Sequence, residues 1–255
     1  MEALAVSNPF PGAAAFVVAE TESTMAEARG LARLGFPPGS LVAAEFQSAG
    51  RGRFPDRRWI SEPGESLLFT IRLDPDTAQL AALPLRVGAV LARAVVLYAI
   101  RYDRALHARV LVKWPNDLML GDRKAAGVLC ERSAGGPEAG VYVGVGVNCN
   151  QRSFPDSLPF RATSLAMELG ETIERWVLLE LFLDLLHQEL HEPAWKNGVE
   201  ERLWRRGELV RFRPGAASGD TVEALLEGID DTGSLLLAAS GWSGPRPFVS
   251  GELLV

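Results

Sequence analysis

Lysine is nearly missing from this chain. Only Lys113, Lys124 and Lys196 are lysines among its 26 basic residues; the other 23 are arginine. Cysteine is scarcer still, with Cys130 and Cys149 both in apolar surroundings. Two such thiols make no disulfide framework and are expected to be buried and reduced. Positive charge is in deficit: 26 basic against 32 acidic residues leave a net charge of −6. That balance argues against broad nucleic-acid or anionic-membrane binding, although a local basic patch remains compatible with it. No basic residue precedes Arg29 and no compact apolar run with a cleavage site opens the chain, so no signal peptide is expected. Nor is there a long hydrophobic run. The most apolar stretch, 87-VGAVLARAVVLYAI-100, is broken by Arg93 and is shorter than the ~20 residues a bilayer span needs, so it is expected to be a core helix. A cytosolic location follows as an expectation.

What is present is an ordinary globular composition. The 255 residues are 47% hydrophobic and 23% charged, enough for a sizeable core in one large domain or in a medium domain with a small one. Segments 15–20, 41–47, 66–73, 109–114 and 141–148 read as strands. Segment 23-STMAEARGLARLG-35 reads as a helix capped by Ser23 and closed by Gly35. Helices are expected over 80–100 and 172–191, the latter with a wide apolar stripe. The tetrapeptide 121-GDRK-124 reads as a hairpin turn between strands 117–120 and 125–131. After Gly207 the texture changes to short strands, 208–213, 221–230, 234–239 and 246–250, split by Gly, Asp and Ser. That pattern suggests a small β-barrel. The fold expected is α+β: a mixed β-sheet flanked by helices over 1–205, and a small β domain over 206–255.

Three stretches carry chemistry. In 50-GRGRFPDRR-58 two glycines alternate with two arginines directly after a strand. Glycine lets backbone N–H groups approach an anion, and arginine adds charge-assisted bonds to carboxylate or phosphate. The loop could cradle a nucleotide phosphate, or be a solvated basic loop or RNA-binding patch; no G-K-[ST] follows, so it is no Walker loop. In 113-KWPNDLMLGDRKAAGVLCE-131 two of the three lysines fall within twelve residues. Lysine is a compact point charge on a thin stem and enters pockets that a planar guanidinium cannot. Lys124 could therefore meet a reacting carboxylate or α-phosphate, with Asn116 and Asp117 at the strand end; chance placement is the competing reading. Third, 144-GVGVNCN-150 fails as a dinucleotide fingerprint and reads as a strand needing close backbone approach to a ligand or neighbour. The pair His187 and His191 lacks the H-E-x-x-H arrangement and reads as a solvated helix face. Ser23–Thr24 could be a nucleophile but reads locally as a cap.

Taken together, 23-ST-24, 45-EFQSAGRGR-53 with Trp59, 66-SLLFTIRL-73, 113-KWPNDLML-120 with 123-RKAAGVLCE-131, and 144-GVGVN-148 resemble the biotin protein ligase family in order and spacing. The resemblance runs from about residue 20 to 150. It implies a catalytic core like that of class II aminoacyl-tRNA synthetases, with an SH3-like C-terminal domain. It also implies ATP-dependent activation of biotin as biotinyl-5′-AMP, with Mg2+, and transfer to a lysine of a biotin carboxyl carrier domain. By the same resemblance Ser23, Thr24, Met25 and Gln47 would line the biotin pocket. Gly50, Arg51, Gly52 and Arg53 would hold carboxylate and phosphate, with Trp59 beside them. Lys124 would stabilise the charge of adenylation; Lys113, Asn116 and Asp117 would organise the phosphate, metal and acceptor region; Gly127 and Asn148 would lie beside the nucleotide. Lys124, Arg51 and Arg53 are the expected catalytic groups, and the metal ligands are unknown. Met25 stands where the family usually has asparagine, and 54-FPDRR-58 is one residue longer than usual and lacks a glycine. Without a helix-turn-helix ahead of the core, the DNA-binding repressor form is not expected. The resemblance allows a monomer or a homodimer joined through sheet edges. A lipoate or octanoate ligase of the related fold, and a weakly catalytic biotin-binding module, are the alternatives.

Overall fold

Along strands 66–73 and 141–148 almost every residue is apolar or small, as in a sheet with helices on both faces. The computed structural model describes residues 1–54, 57–106, 109–156, 158, 161–215 and 220–254. The first sheet has eight strands: β1 (Glu2–Ala3), β2 (Ala15–Thr21), β3 (Leu41–Gln47), β4 (Ser66–Leu73), β5 (Val110–Lys113), β6 (Asp117–Leu120), β7 (Arg123–Ser133) and β8 (Gly140–Asn148). Their spatial order is β1-β2-β3-β4-β8-β7-β6-β5. Only β2 and β3 pair parallel; the other neighbours are antiparallel, so the sheet is mixed as expected.

Alternation along the strands gives the two faces different jobs. Leu67, Phe69 and Ile71 of β4 and Val141, Val143, Val145 and Val147 of β8 face one side. There they join the core with α2 (Leu83–Arg101) and α4 (Arg175–Glu189). The opposite side carries α1 (Thr24–Arg33), whose Ala28 and Ala32 pack on Tyr142. Ser23 caps α1, its hydroxyl accepting the Met25 N–H, and Gly35 follows at φ +84°, as a capped helix requires. The rest of that second face is open, and its floor holds glycines.

Helix α2 is 19 residues long, so its length and composition alone would let it cross a bilayer. The apolar stretch 87–100, judged too short for a span, lies inside a helix that is long enough for one. Burial of Val87, Val90, Leu91, Ala94, Val95 and Tyr98 identifies it as a core helix. Two short helices, α3 (Leu165–Leu169) and α5 (Trp195–Glu200), and the strand β1 were not legible in the sequence.

A second, antiparallel sheet follows: β9 (Leu209–Pro214), β10 (Val222–Ile229), β11 (Leu235–Ala238), β12 (Arg246–Phe248) and β13 (Gly251–Leu254), in the order β12-β11-β10-β9-β13. It is docked, not tethered. Trp114 donates its indole N–H to the Gly233 carbonyl at 3.0 Å and meets the Phe212 ring edge-on. The β5 edge of the first sheet is also covered, with the Val112 N–H donating to Arg202 O at 2.7 Å and the Val112 carbonyl accepting from Trp204 N–H at 2.9 Å.

Candidate active site

A cavity of about 890 Å³ opens on the α1 side of the sheet. Its floor is the β7–β8 ladder, where every second residue points into it. Two successive pairs make the floor, Gly127 with Gly146 and Leu129 with Gly144, and the next pair, Glu131 with the buried Tyr142, reaches the cavity through Glu131. Each pair lies beneath one side chain. The Trp59 ring lies over Gly146, where an added Cβ would stand 2.9–3.0 Å from the indole. Met25 lies over Gly144, its methyl group 3.2 Å from such a Cβ. Arg29 lies over the third pair, bonded to Glu131 at 2.6 Å and stacked 5.2 Å from the Tyr142 centroid. The glycine-rich strand was expected to need close approach, and its neighbours are these side chains.

The cavity is neutral and polar on one side. Gln47 Oε1 accepts from both the backbone N–H (2.7 Å) and the hydroxyl (3.0 Å) of Thr24. Thr24 and Thr70 join hydroxyls at 2.9 Å. These bonds consume the Gln47 acceptor and aim its amide donor elsewhere. Ser23 lines the same end while capping α1.

The other side is charged. Lys124 Nζ stands 2.6 Å from Asp117 Oδ1. Lys124 is in strand β7, not in the turn expected at 121–124; only Gly121 and Asp122 form that turn. A β-bulge at Ala125 pairs Met119 with Lys124 but Leu118 with Ala126. The extra residue shifts the alternation, so Ala125 enters the core and Lys124 faces the cavity. Its backbone is fixed by Arg161 O and Thr163 N–H, each at 2.9 Å. Lys113 is only 8% exposed. Desolvation lowers its pKa, opposed by the Asp117 charge and reinforced by Lys124. The Trp204 ring lies 5.4 Å from its ammonium and offsets part of that cost.

The glycine–arginine segment bends over this charged side. Gly52 N–H donates to Arg57 O, and Trp59 N–H to Gly50 O, closing a small hairpin; Pro55 and Asp56, part of the lengthened 54–58 segment, lie outside the described residues. Arg51 and Arg58 bridge across it, and both side chains line the cavity. Arg53 donates to the Gly251 carbonyl at 2.7 Å and Arg57 pairs with Glu252 at 3.3 Å, so β13 closes the rim. Burial lowers the Arg53 pKa, with Asp117 and Glu252 opposing.

Of the residues expected at the site, Ser23, Thr24, Met25, Gln47, Arg51, Gly52, Arg53, Trp59, Lys113, Asn116, Asp117, Lys124, Gly127 and Asn148 all line this one cavity. Gly50 does not; it packs beneath Trp59, where a Cβ would meet the Trp59 Cβ at 3.0 Å. Asn116 and Asn148 serve the scaffold as well, donating to Val128 O (2.7 Å) and Thr163 O (3.0 Å). Sequence reasoning missed Thr70, the Arg29–Glu131 pair, the apolar wall of Phe154, Pro155 and Leu158, and Glu252. The repeated small residue in β8 was the available signal for a crowded floor; nothing local marked the others. His187 and His191 sit away from the cavity, and no metal-ligating cluster of three or more acidic, His or Cys side chains occurs among the described residues.

Such a site, neutral and hydrogen-bonding at one end and cationic at the other, on a mixed sheet, defines a class of acid-activating enzymes. The sequence profile of the biotin/lipoate A/B protein ligase family matches residues 17–148, over half of the chain, and the chain belongs to that family. It is 36% identical to the biotin–[acetyl-CoA-carboxylase] ligase of Paracoccus denitrificans over 87% of this chain and 92% of that protein. It is 34% identical to the bifunctional ligase/repressor BirA of Bacillus spizizenii, over 87% of this chain but 67% of that protein. Among solved structures it superposes on the biotin protein ligase of Aquifex aeolicus in complex with biotin and ATP. There the TM-score is 0.77 and the identity 27%, covering 96% of this chain and 98% of that one.

Proposed function

We propose that this chain is an ATP-dependent biotin ligase that forms biotinyl-5′-AMP and transfers the biotinyl group to a lysine of a biotin carboxyl carrier domain. One observation carries the reading: the glycine–arginine segment and Lys124 share a cavity whose far end is neutral and hydrogen-bonding. That end suits a ureido ring, which donates and accepts without charge; a dithiolane ring would offer nothing to the Gln47 amide donor that these bonds leave over, which disfavours lipoate. The relatives named as biotin ligases support the same choice.

In the first half-reaction a carboxylate oxygen of biotin attacks the α-phosphorus, and the bond to the β-phosphate oxygen breaks, releasing pyrophosphate. Negative charge crowds at the meeting point. Lys124, held by Asp117, supplies fixed positive charge there, and the exposed Arg51 adds its charge as the arginine loop closes. Lys113, poorly solvated, interacts more strongly with an incoming phosphate than an exposed lysine would. Phe154, Pro155 and Leu158 offer an apolar wall to the nucleobase. In the second half-reaction the acceptor lysine, once deprotonated, attacks the acyl carbon, the bond from that carbon to the phosphate oxygen breaks, AMP leaves, and the surplus amine proton passes to water. Asp117 is the carboxylate at that end placed to meet an incoming ammonium. Closure of the arginine loop keeps water from the mixed anhydride. Mg2+ would supply charge neutralisation to the ATP phosphates; Asp117 and Glu252, each already paired with a cation, are the carboxylates at that end that would help hold it.

The same proposal includes a catalytic unit over 1–205, a C-terminal unit over 206–255, a cytosolic location, no nucleic-acid partner, and self-association, if present, through the short β1 edge. Incubation with biotin, Mg-ATP and a carrier domain tests it. A biotinyl mass increment on the carrier is expected; increments from lipoate alone would reverse the choice of acid.

A further inference from the structure

The cavity floor does not stop where the polar ring end stops. Beyond the Leu129–Gly144 pair lies the Glu131–Tyr142 pair, about 7 Å further along the ladder. Met25 and Arg29 are four residues apart on α1 and cover these two pairs in turn. Both Arg29 and Glu131 line the cavity, so the space continues past Met25 to a charged end wall. The side chain between the ring site and that extension is therefore Met25. It makes an apolar contact with Gly144 and packs on the far side against Ala28, Ala32 and Tyr142.

We propose that Met25 is the specificity-determining residue for the acid, acting as a deformable wall that lets this enzyme accept biotin analogues enlarged at the ureido ring. Methionine is unbranched, has three rotatable side-chain bonds and fills irregular gaps. Thr24, Gln47 and Thr70 beside Met25 are locked together by hydrogen bonds, and beneath it Gly144 offers only backbone, flanked by the shorter Leu129 side chain. When a larger head enters, Met25 is the part that yields, moving toward the Arg29 position. A β-branched residue of similar volume has a nearly fixed χ1 on a helix and cannot make that movement. The Arg29–Glu131 pair stops the extension and favours small polar substituents over long apolar ones. This inference rests on the biotin reading but concerns binding, which precedes chemistry.

The test is calorimetric titration, without ATP, of biotin and of biotin methylated on one ureido nitrogen. The partners are the native protein, Met25→Ile and Met25→Ala. A rigid pocket discriminates one methyl group by about 10–200-fold. The expected ratio of the two dissociation constants is under about tenfold for the native protein and for Met25→Ala, and at least about tenfold larger than the native ratio for Met25→Ile. A ratio unchanged across the three proteins overturns the proposal, as does failure of both acids to bind. If Met25→Ile does not fold, a native ratio above about a hundredfold that Met25→Ala reduces also overturns it, because the native wall is then rigid. Biotin binding without pyrophosphate release on adding Mg-ATP would sink the ligase reading while leaving this ratio decisive.

Discussion

Lys124 and Asp117 join ammonium to carboxylate at 2.6 Å although they are not partners in the strand ladder, where Asp117 faces Gly127 and Lys124 faces Met119. The bulge at Ala125 brings them to the same face, and with it the chain's scarce lysine to the cavity. Replacing Lys124 by Met should therefore remove transition-state charge stabilisation and little else. Adenylation kcat is expected to fall about 10²–10³-fold, the loss typical of one charge-stabilising donor. The thermal midpoint should hold within a few degrees, because the pair is partly exposed. Pyrophosphate release and a melting curve check this; native turnover would remove the role assigned to Lys124.

Trp59 makes two glycines of the floor unequal. A Cβ on Gly146 would press 2.9–3.0 Å from the indole, but on Gly127 it would sit 3.6 Å away in ordinary contact. Gly146→Ala should displace Trp59 and weaken biotin binding strongly, while Gly127→Ala should be mild. Calorimetry on the two variants decides the order, and equal losses would contradict the packing.

Lys113 separates stability from function. Burial holds its folded pKa below the unfolded value of ~10.4. Between those two pH values the unfolded chain binds a proton that the native protein lacks, so its contribution to stability rises with pH across that window. Below the window the buried charge is a constant cost. Lys113→Met should raise the thermal midpoint at neutral pH, with the gain shrinking as pH climbs toward the unfolded value, and should raise KM for ATP. A lowered midpoint would show that Trp204 and Asp117 more than offset the burial.

Desolvation pushes both thiols, the fully buried Cys149 and the partly buried Cys130, up to about 12. The nucleophilic thiolate is then negligible near neutrality. An aromatic disulfide reagent at pH 8 should release colour from denatured protein for both cysteines and react far more slowly with native protein. Rapid native labelling of Cys149 would contradict its burial, and of Cys130 the raised pKa of its thiol.

The strands were legible where the chain is locally consistent. Segments 41–47 and 66–73 fold with the boundaries their apolar runs suggest. Ser23 and Gly35 punctuate α1 as their chemistry requires. The cavity's charged half was legible because glycine, arginine and lysine declare themselves by type. Lys124 was misplaced because a bulge leaves no composition signal. Thr70, Glu131 and Glu252 were missed because each is an ordinary strand residue until β4 and β7 flank β8 by pairings distant in sequence and Arg53 and Arg57 reach across to β13. Gly50 was overcalled because a loop glycine under a tryptophan and one beside a phosphate look alike in one dimension.

The most direct measurement follows oxygen. Biotin carrying 18O in both carboxylate positions would be incubated with Mg-ATP and a carrier domain, and the nucleotide product weighed. Attack of the carboxylate on the α-phosphorus within this cavity predicts AMP bearing one 18O, with the second retained on the biotinylated carrier. Unlabelled AMP, or ADP with label in the released phosphate, would contradict it.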